Sequence, residues 1–126
     1  MIHAPTRQGY DTTKESTQVV DEWGSKIIDE VQPVETDIIL NVVHNNTKSA
    51  LEGTDLGSII KEGGIQTVIL LGFFSDICIT ETAVDLSDEF PGLNIIVCSD
   101  GTASSTKEQY LGAIKVRYLA TLLTEL

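Results

Sequence analysis

Cys78 is the residue of this chain with the most direct potential for catalysis, because a thiolate is a strong nucleophile. It follows residues 67–71, a short apolar run rich in β-branched side chains that is typical of a strand buried on both faces. Gly72 ends the run, and Ser75 or Asp76 is expected to cap a helix that begins there. Cys78 is therefore predicted in the first turn of a helix, just beyond the carboxyl end of a strand.

This predicted position has two features that suit an active-site thiol. Open α/β sheets bind their ligands at the carboxyl ends of the strands. A thiol at the start of a helix also faces the positive end of the helix dipole, which favours the nucleophilic thiolate. The alternative interpretation is that Cys78 is a small buried core residue, which is the commoner role of a cysteine. Cys98 lies inside an apolar run and is predicted to be inert packing, and two cysteines make no disulfide framework.

The elements that must position Cys78 alternate between strand and helix patterns. Strands are predicted at residues 37–43, 67–73 and 94–99. Helices are predicted within residues 15–31, from Thr54 to the Gly63-Gly64 pair, from the Cys78 turn to about Glu89, and from Ser105 or Thr106 onward. Loops are predicted at residues 1–14 and 44–49, and a turn at Asp100-Gly101. This alternation predicts an α/β fold, a three-layer sandwich around a parallel sheet.

Length and charge limit the classes of function. The 126 residues favour a single domain over residues 1–126, and the net charge of −11 disfavours binding to nucleic acid or to anionic membranes. No apolar run approaches the roughly 20 residues that span a bilayer, and no signal-peptide pattern opens the chain. The sequence therefore predicts a cytoplasmic protein with neither a nucleic-acid nor a membrane partner.

Several segments form an ordered pattern around Cys78. They are Gly72, Ser75-Asp76-Ile77-Cys78-Ile79 and Thr82-Ala83, flanked by residues 23–33, 52–56, 64–70 and 94–104. This order resembles the cysteine hydrolases of the isochorismatase-like family, in which a strand, a Gly and a small turn precede a Cys that opens a helix. The resemblance covers most of the chain from about Trp23 onward, and it implies a Rossmann-like three-layer sandwich.

The resemblance also implies a set of catalytic groups. Cys78 corresponds to the nucleophile, and a cis peptide bond just ahead of it helps to shape an oxyanion site. By correspondence this bond joins Phe73 and Phe74, although the pair could equally be plain pocket lining or core. The family uses a Lys from a nearby loop; the corresponding position here holds Asn45, so Lys48 is the candidate in the same loop. The alternative for Lys48 is an ordinary solvated loop lysine.

The family's base is an Asp at the end of its first strand, and no apolar strand is predicted before Glu35 to carry it. Asp11 and Asp21 fall in predicted loop and helix contexts, and Asp76 is better explained as a helix-start residue. The strands missing by this correspondence lie between the strands at residues 37–43 and 67–73. We therefore expect these two strands either to pair directly or to leave open edges, in a truncated relative that is re-paired, oligomeric or completed by another polypeptide.

The resemblance also identifies a histidine to be considered as a metal ligand. His3 corresponds to a histidine at the tip of the family's second strand, but no second His or acid stands near it at zinc-site spacing. A lone His near a terminus is usually solvated. Neither a metal nor another cofactor is expected.

The favoured function by resemblance is a cysteine hydrolase of a small amide, carbamoyl or vinyl-ether substrate, acting as a homo-oligomer. The alternative is a catalytically inactive relative that serves as a binding or oligomerisation module, because loss of the base costs several powers of ten in rate. A nucleotide-binding α/β module ranks last, since the chain has no glycine-rich loop of the GxGxxG or P-loop type.

Overall fold

The computed structural model of the chain describes residues 1–4, 6–7, 28–40, 42–43 and 48–124. The strands are β1 Ile2–His3, β2 Thr6–Arg7, β3 Ile38–Ile39, β4 Val42–Val43, β5 Thr67–Phe73 and β6 Asn94–Ala103. The helices are α1 Leu56–Glu62, α2 Thr80–Glu89 and α3 Lys107–Thr124, with a 3₁₀ turn at Asp29–Val31 and a π-helical turn at Ser75–Ile79. This mixture of helices and parallel strands confirms the predicted α/β class.

The beginning of the chain forms strands where the sequence pattern predicts a loop. β1 pairs in parallel with β3, and β2 pairs in parallel with β4 in the same register. The loop prediction is wrong here because two-residue strands on either side of Pro5 carry no periodic pattern. The expectation that no strand precedes Glu35 is wrong for the same reason. In the described part of the chain, the predicted strands at 37–43 and 67–73 do not pair with each other, because the ladders there are β1–β3, β2–β4 and β5–β6, each of two strands.

The β5–β6 ladder carries the site, and it contains an irregularity at its carboxyl end. Pairing runs in register as far as Leu70 and Val97, and it resumes at Gly72 and Thr102. The residues between them bulge from β6, so the predicted turn at Asp100-Gly101 is wrong and the strand continues to Ala103. Gly72 has φ +120°, which an L side chain rarely adopts. At Gly101 a Cβ atom would lie 2.6 Å from a methyl of Leu71, so a larger residue there would require the Leu71 side chain to shift.

One face of the β5–β6 ladder packs against α1 and α2. The buried core consists of Leu40, Leu51, Leu56, Ile60 and Leu86, with Val68, Leu70 and Ile95 of the ladder packed against it. Two helix starts follow the sequence pattern. Thr54 Oγ1 accepts the N–H of Leu56 at the start of α1, and Thr106 and Gln109 form a reciprocal capping box at the start of α3.

The other face of the ladder is exposed, which contradicts the prediction of a strand buried on both faces. Ile69, Leu71 and Phe73 of β5 are 58%, 54% and 71% exposed, and Ile96 of β6 is 44% exposed. We refer to these four side chains as the outer apolar face. Among the described helices, none combines the length and the hydropathy that crossing a membrane requires.

Burial in the core predicts that truncation of two nearby side chains of α2 has very different effects on stability. Leu86 is 0% exposed, so Leu86→Ala is expected to lower the free energy of unfolding by about 3 kcal/mol through lost burial and a residual cavity. Val84 is 44% exposed on the same helix, and Val84→Ala should cost about 0.5 kcal/mol. Urea unfolding followed by circular dichroism measures both values. Equal losses would show that α2 is not packed through Leu86.

Candidate functional site

Cys78 lies in the π-helical turn that joins β5 to α2, so the predicted position at the start of a helix is correct. The carbonyl of Phe74 accepts the N–H groups of both Ile77 and Ile79, at 3.2 and 3.1 Å. The Thr80 hydroxyl donates to the carbonyl of Ser75 at 2.6 Å and braces the same turn. Cys78 is a free, half-buried thiol, which differs from the fully buried residue of the alternative interpretation.

The predicted capping of this helix is wrong. The residue before the turn is Phe74, and neither Ser75 nor Asp76 makes a side-chain cap. The carboxylate of Asp76 accepts a hydrogen bond from the Ser104 hydroxyl at 2.5 Å instead. This contact ties the Cys78 turn to the residue that follows β6, and the two partners are too far apart in sequence for any local pattern to indicate it.

Phe73 and Phe74 immediately precede the turn. The peptide bond between them is cis, as the family resemblance implies. Their rings meet edge to face with centroids 6.5 Å apart. Because Phe73 is 71% and Phe74 41% exposed, the interpretation of the pair as buried core is wrong.

Two hydrogen bonds hold the segment of Lys48 against the first turn of α2. The Lys48 N–H donates to a carboxylate oxygen of Glu81, and the Ala50 N–H donates to the hydroxyl of Thr82, both at 2.9 Å. Glu81 lies one helical turn beyond Cys78, so the structure brings the backbone of Lys48 to the helix that carries the thiol. The Lys48 side chain is exposed. Sequence reasoning singled out Thr82 as part of a motif but found no signal for Glu81.

His3 belongs to a different polar cluster, on the β1–β3 ladder. Its Nε2 lies 3.0 Å from a carboxylate oxygen of Asp37. Hydrogen bonds from the Met1 ammonium, from the Val34 N–H and from His3 hold the pKa of Asp37 well below its usual range. Among the described residues, no three His, Cys, Asp or Glu side chains are grouped to hold a metal ion. Asp11, Asp21 and Asn45 lie outside the described residues.

Cys98 has surroundings quite unlike those of Cys78. It lies in the β6 bulge, where its thiol donates to a carboxylate oxygen of Asp100 at 3.0 Å. This hydrogen bond, with smaller contributions from burial and from the negative charge, raises the pKa of Cys98. The same bond lowers the pKa of Asp100. The hydrogen bond therefore favours the neutral thiol of Cys98, and its role as inert packing stays a prediction.

Comparison with known proteins gives one family and a set of similar structures. The isochorismatase domain family matches residues 4–124 of this chain. An isochorismatase-like hydrolase from Alkaliphilus metalliredigens is 30% identical, with a TM-score of 0.73 over 94% of this chain and 63% of that chain. N-carbamoylsarcosine amidase from Thermoplasma acidophilum is 34% identical, with a TM-score of 0.59 over 71% of this chain and 49% of that chain. A nicotinamidase from Staphylococcus aureus is 26% identical, with a TM-score of 0.56 over 68% of this chain and 51% of that chain.

Each match covers a larger share of this chain than of the structure that it resembles. The chain spans 63% or less of the length of each of these three structures. None of the curated protein sequences matches it significantly. The family match nevertheless includes the Cys78 turn and all of α1, α2 and α3.

The bond between Ala50 and Thr82 gives a stability prediction. Thr82 is 4% exposed, so Thr82→Val leaves the Ala50 N–H without its acceptor and should lower the free energy of unfolding by about 1–2 kcal/mol. Thr67 on β5 is exposed, so Thr67→Val is a matched control with an expected change of about 0.5 kcal/mol or less. Chemical denaturation of the wild type and the two variants measures these differences in the free energy of unfolding. The proposed docking of the Lys48 segment on α2 is wrong if the two variants unfold alike.

The pair of Cys98 and Asp100 gives a prediction of pH dependence. An ordinary cysteine thiol has a pKa of about 8.5. Because the Asp100 carboxylate keeps the proton on sulfur, alkylation of Cys98 should begin at a higher pH than alkylation of such a thiol. Asp100→Asn removes the negative charge, lowers the pKa of Cys98 and should increase its labelling rate at pH 8. Peptide mass spectrometry reads the rate, with the exposed Asp88→Asn as control. An unchanged rate in Asp100→Asn would contradict the assignment.

Proposed function

The chain belongs to the isochorismatase family, and we propose that it is a cysteine-dependent hydrolase of a small amide, carbamoyl or vinyl-ether substrate. The observation that carries this proposal is the position of Cys78, half-buried in the first helical turn beyond the carboxyl end of a parallel strand. Two of the similar structures are an amidase and a nicotinamidase by name, which favours an amide or carbamoyl compound.

For an amide, the proposed chemistry has two steps. The Cys78 sulfur attacks the carbonyl carbon, the C–N bond breaks, and the thiol proton leaves with the amine. Water then hydrolyses the thioester, which releases the carboxylic acid and returns the proton to sulfur. Backbone N–H groups near Phe74 and Cys78 are suited to stabilise the oxyanion, because the first N–H groups of a helix have no acceptor within it.

Lys48 is the proposed cationic helper of this reaction. Its backbone is held on α2 by Glu81, one turn from the nucleophile. A lysine at this place would stabilise the negative charge that develops on the substrate oxygen. Glu81 would then act as a positioning residue, through the backbone of Lys48 and not through contact with the substrate.

A second candidate function rests on the outer apolar face. Four large apolar side chains exposed together on one two-stranded ladder are typical of a surface that another polypeptide covers. This favours the alternative of a non-catalytic module that assembles with a second copy of the chain. The proposed hydrolase, which acts on a small molecule, is also expected to be a homo-oligomer. Both candidates therefore predict self-association, and only turnover separates them.

Ammonia release from a panel of carboxamides and N-carbamoyl amino acids tests the hydrolase. Cys78→Ala is expected to lower the rate on any substrate found by about 10⁴-fold or more, because the nucleophile is lost. Cys98→Ala should keep the rate within about threefold, because its thiol is held protonated by Asp100. Equal turnover by Cys78→Ala and the wild type would exclude Cys78 as nucleophile. No turnover by the wild type across the panel would favour the second candidate.

A further inference from the structure

The turn that carries the proposed nucleophile is closed by local hydrogen bonds. The Phe74 carbonyl accepts the N–H groups of Ile77 and Ile79, and bonds within one segment cannot by themselves hold it against another element. Asp76 makes a contact of a different kind. Its carboxylate accepts a hydrogen bond from the Ser104 hydroxyl at 2.5 Å, across 28 residues of the chain. This contact therefore connects the turn to the segment between β6 and α3.

The donor of this contact is itself held on both sides. Ser104 follows Ala103, which ends β6 and pairs with Phe73 in the ladder. On the other side, the Tyr110 hydroxyl in the first turn of α3 donates to the carbonyl of Ser99 at 2.8 Å. α3 also packs against the turn that contains the nucleophile. Ser104 is therefore a fixed donor, which a hydrogen bond needs if it is to set the position of its partner.

The chemistry and the surroundings of this bond suit it to that task. A hydroxyl that donates to a carboxylate forms one of the stronger hydrogen bonds in proteins, and both side chains are half-buried, so water competes less for them. Asp76 makes no side-chain cap to the helix that follows. Cys78 lies two residues beyond Asp76 in the same turn, so a displacement of Asp76 also displaces the thiol.

We propose that Ser104 and Asp76 are positioning residues for Cys78. By holding the Asp76 carboxylate at the end of β6, the Ser104 hydroxyl sets the place of the Cys78 sulfur relative to the carbonyl that it attacks. The effect on turnover rests on the proposed hydrolase, whereas the anchoring of the turn requires no substrate. Reaction rates depend steeply on such placement, since an error of about 1 Å can cost about 100-fold.

Kinetics compare the wild type with Ser104→Ala and Asp76→Ala on the best substrate of the carboxamide and N-carbamoyl panel. The temperature is one at which circular dichroism shows each protein to be folded. Each variant should lower kcat about tenfold and leave KM within about threefold, because the bond acts on the placement of the sulfur and not on substrate binding. The adjacent, exposed Ser105→Ala is the matched control and should keep both constants.

Conservative variants and the double variant test the bond itself. Ser104→Thr keeps the hydroxyl, and Asp76→Asn keeps an acceptor without the charge, so each should retain kcat within about threefold of the wild type. Because the two alanine substitutions break the same bond, the double variant should lose no more than either single variant. Additive losses would show that the two side chains act separately, which would overturn the proposal.

Hydrogen exchange followed by NMR supplies a readout that needs no substrate. In Ser104→Ala, the Ile77 and Ile79 N–H groups should exchange about tenfold faster, because the turn that they close loses its anchor. The Asn94 N–H, which donates to the Gln66 carbonyl at 2.9 Å at the opposite end of the ladder, should exchange as in the wild type. Unchanged exchange in the turn, or an equal increase at Asn94, would overturn the proposal.

This inference and the proposed hydrolase can fail separately. If the wild type hydrolyses a substrate but Ser104→Ala and Asp76→Ala keep its kcat, the inference fails and the hydrolase stands. If exchange becomes faster in the turn alone while no substrate turns over, the hydrolase fails and the anchoring of the turn by Ser104 stands.

Discussion

The passage from β5 into α2 is the constraint on which the rest of the site depends. The chain leaves a parallel strand and enters a helix within one turn, and the Phe74 carbonyl closes that turn by accepting two N–H groups. Cys78 lies inside the turn, so these backbone hydrogen bonds fix its position. Two tertiary connections reach this turn and the helix that follows it: Ser104 from the end of β6 meets Asp76 in the turn, and the Lys48 segment meets Glu81 and Thr82 in α2. Without the turn, the residues that make these two contacts would not be held in place.

The two cysteines show how local geometry assigns different chemistry to the same side chain. Cys98 lies in the β6 bulge, where a carboxylate two residues away holds its proton. Cys78 lies at a helix start, in a turn that Asp76 ties to Ser104 at the end of β6. The strongly acidic composition makes such local arrangements more important, because cations are few and the general field opposes anionic substrates.

How much of this was predictable from the sequence depends on the range of the interactions involved. The α1, α2 and α3 helices and the position of Cys78 follow from local periodicity and from Gly72, so the pattern found them. β1 and β2 were missed because two-residue strands exist only through pairing with a distant segment. The Asp100-Gly101 turn prediction was wrong because pairing of Thr102 with Gly72 prolongs β6 and overrides the local turn preference. The contacts of Asp76, Glu81 and Thr102 are tertiary, and no spacing in the sequence indicates them.

Competitive alkylation of the two thiols in the native protein tests whether Cys78 is the nucleophile. Iodoacetamide is added at pH 7, samples are quenched over time, and the peptides that contain Cys78 and Cys98 are quantified by mass. Cys78 is expected to be modified well before Cys98, because Cys78 lies at a helix start while Asp100 keeps Cys98 protonated. Modification of Cys98 first, or silence of both thiols until the protein is unfolded, would contradict Cys78 as the nucleophile.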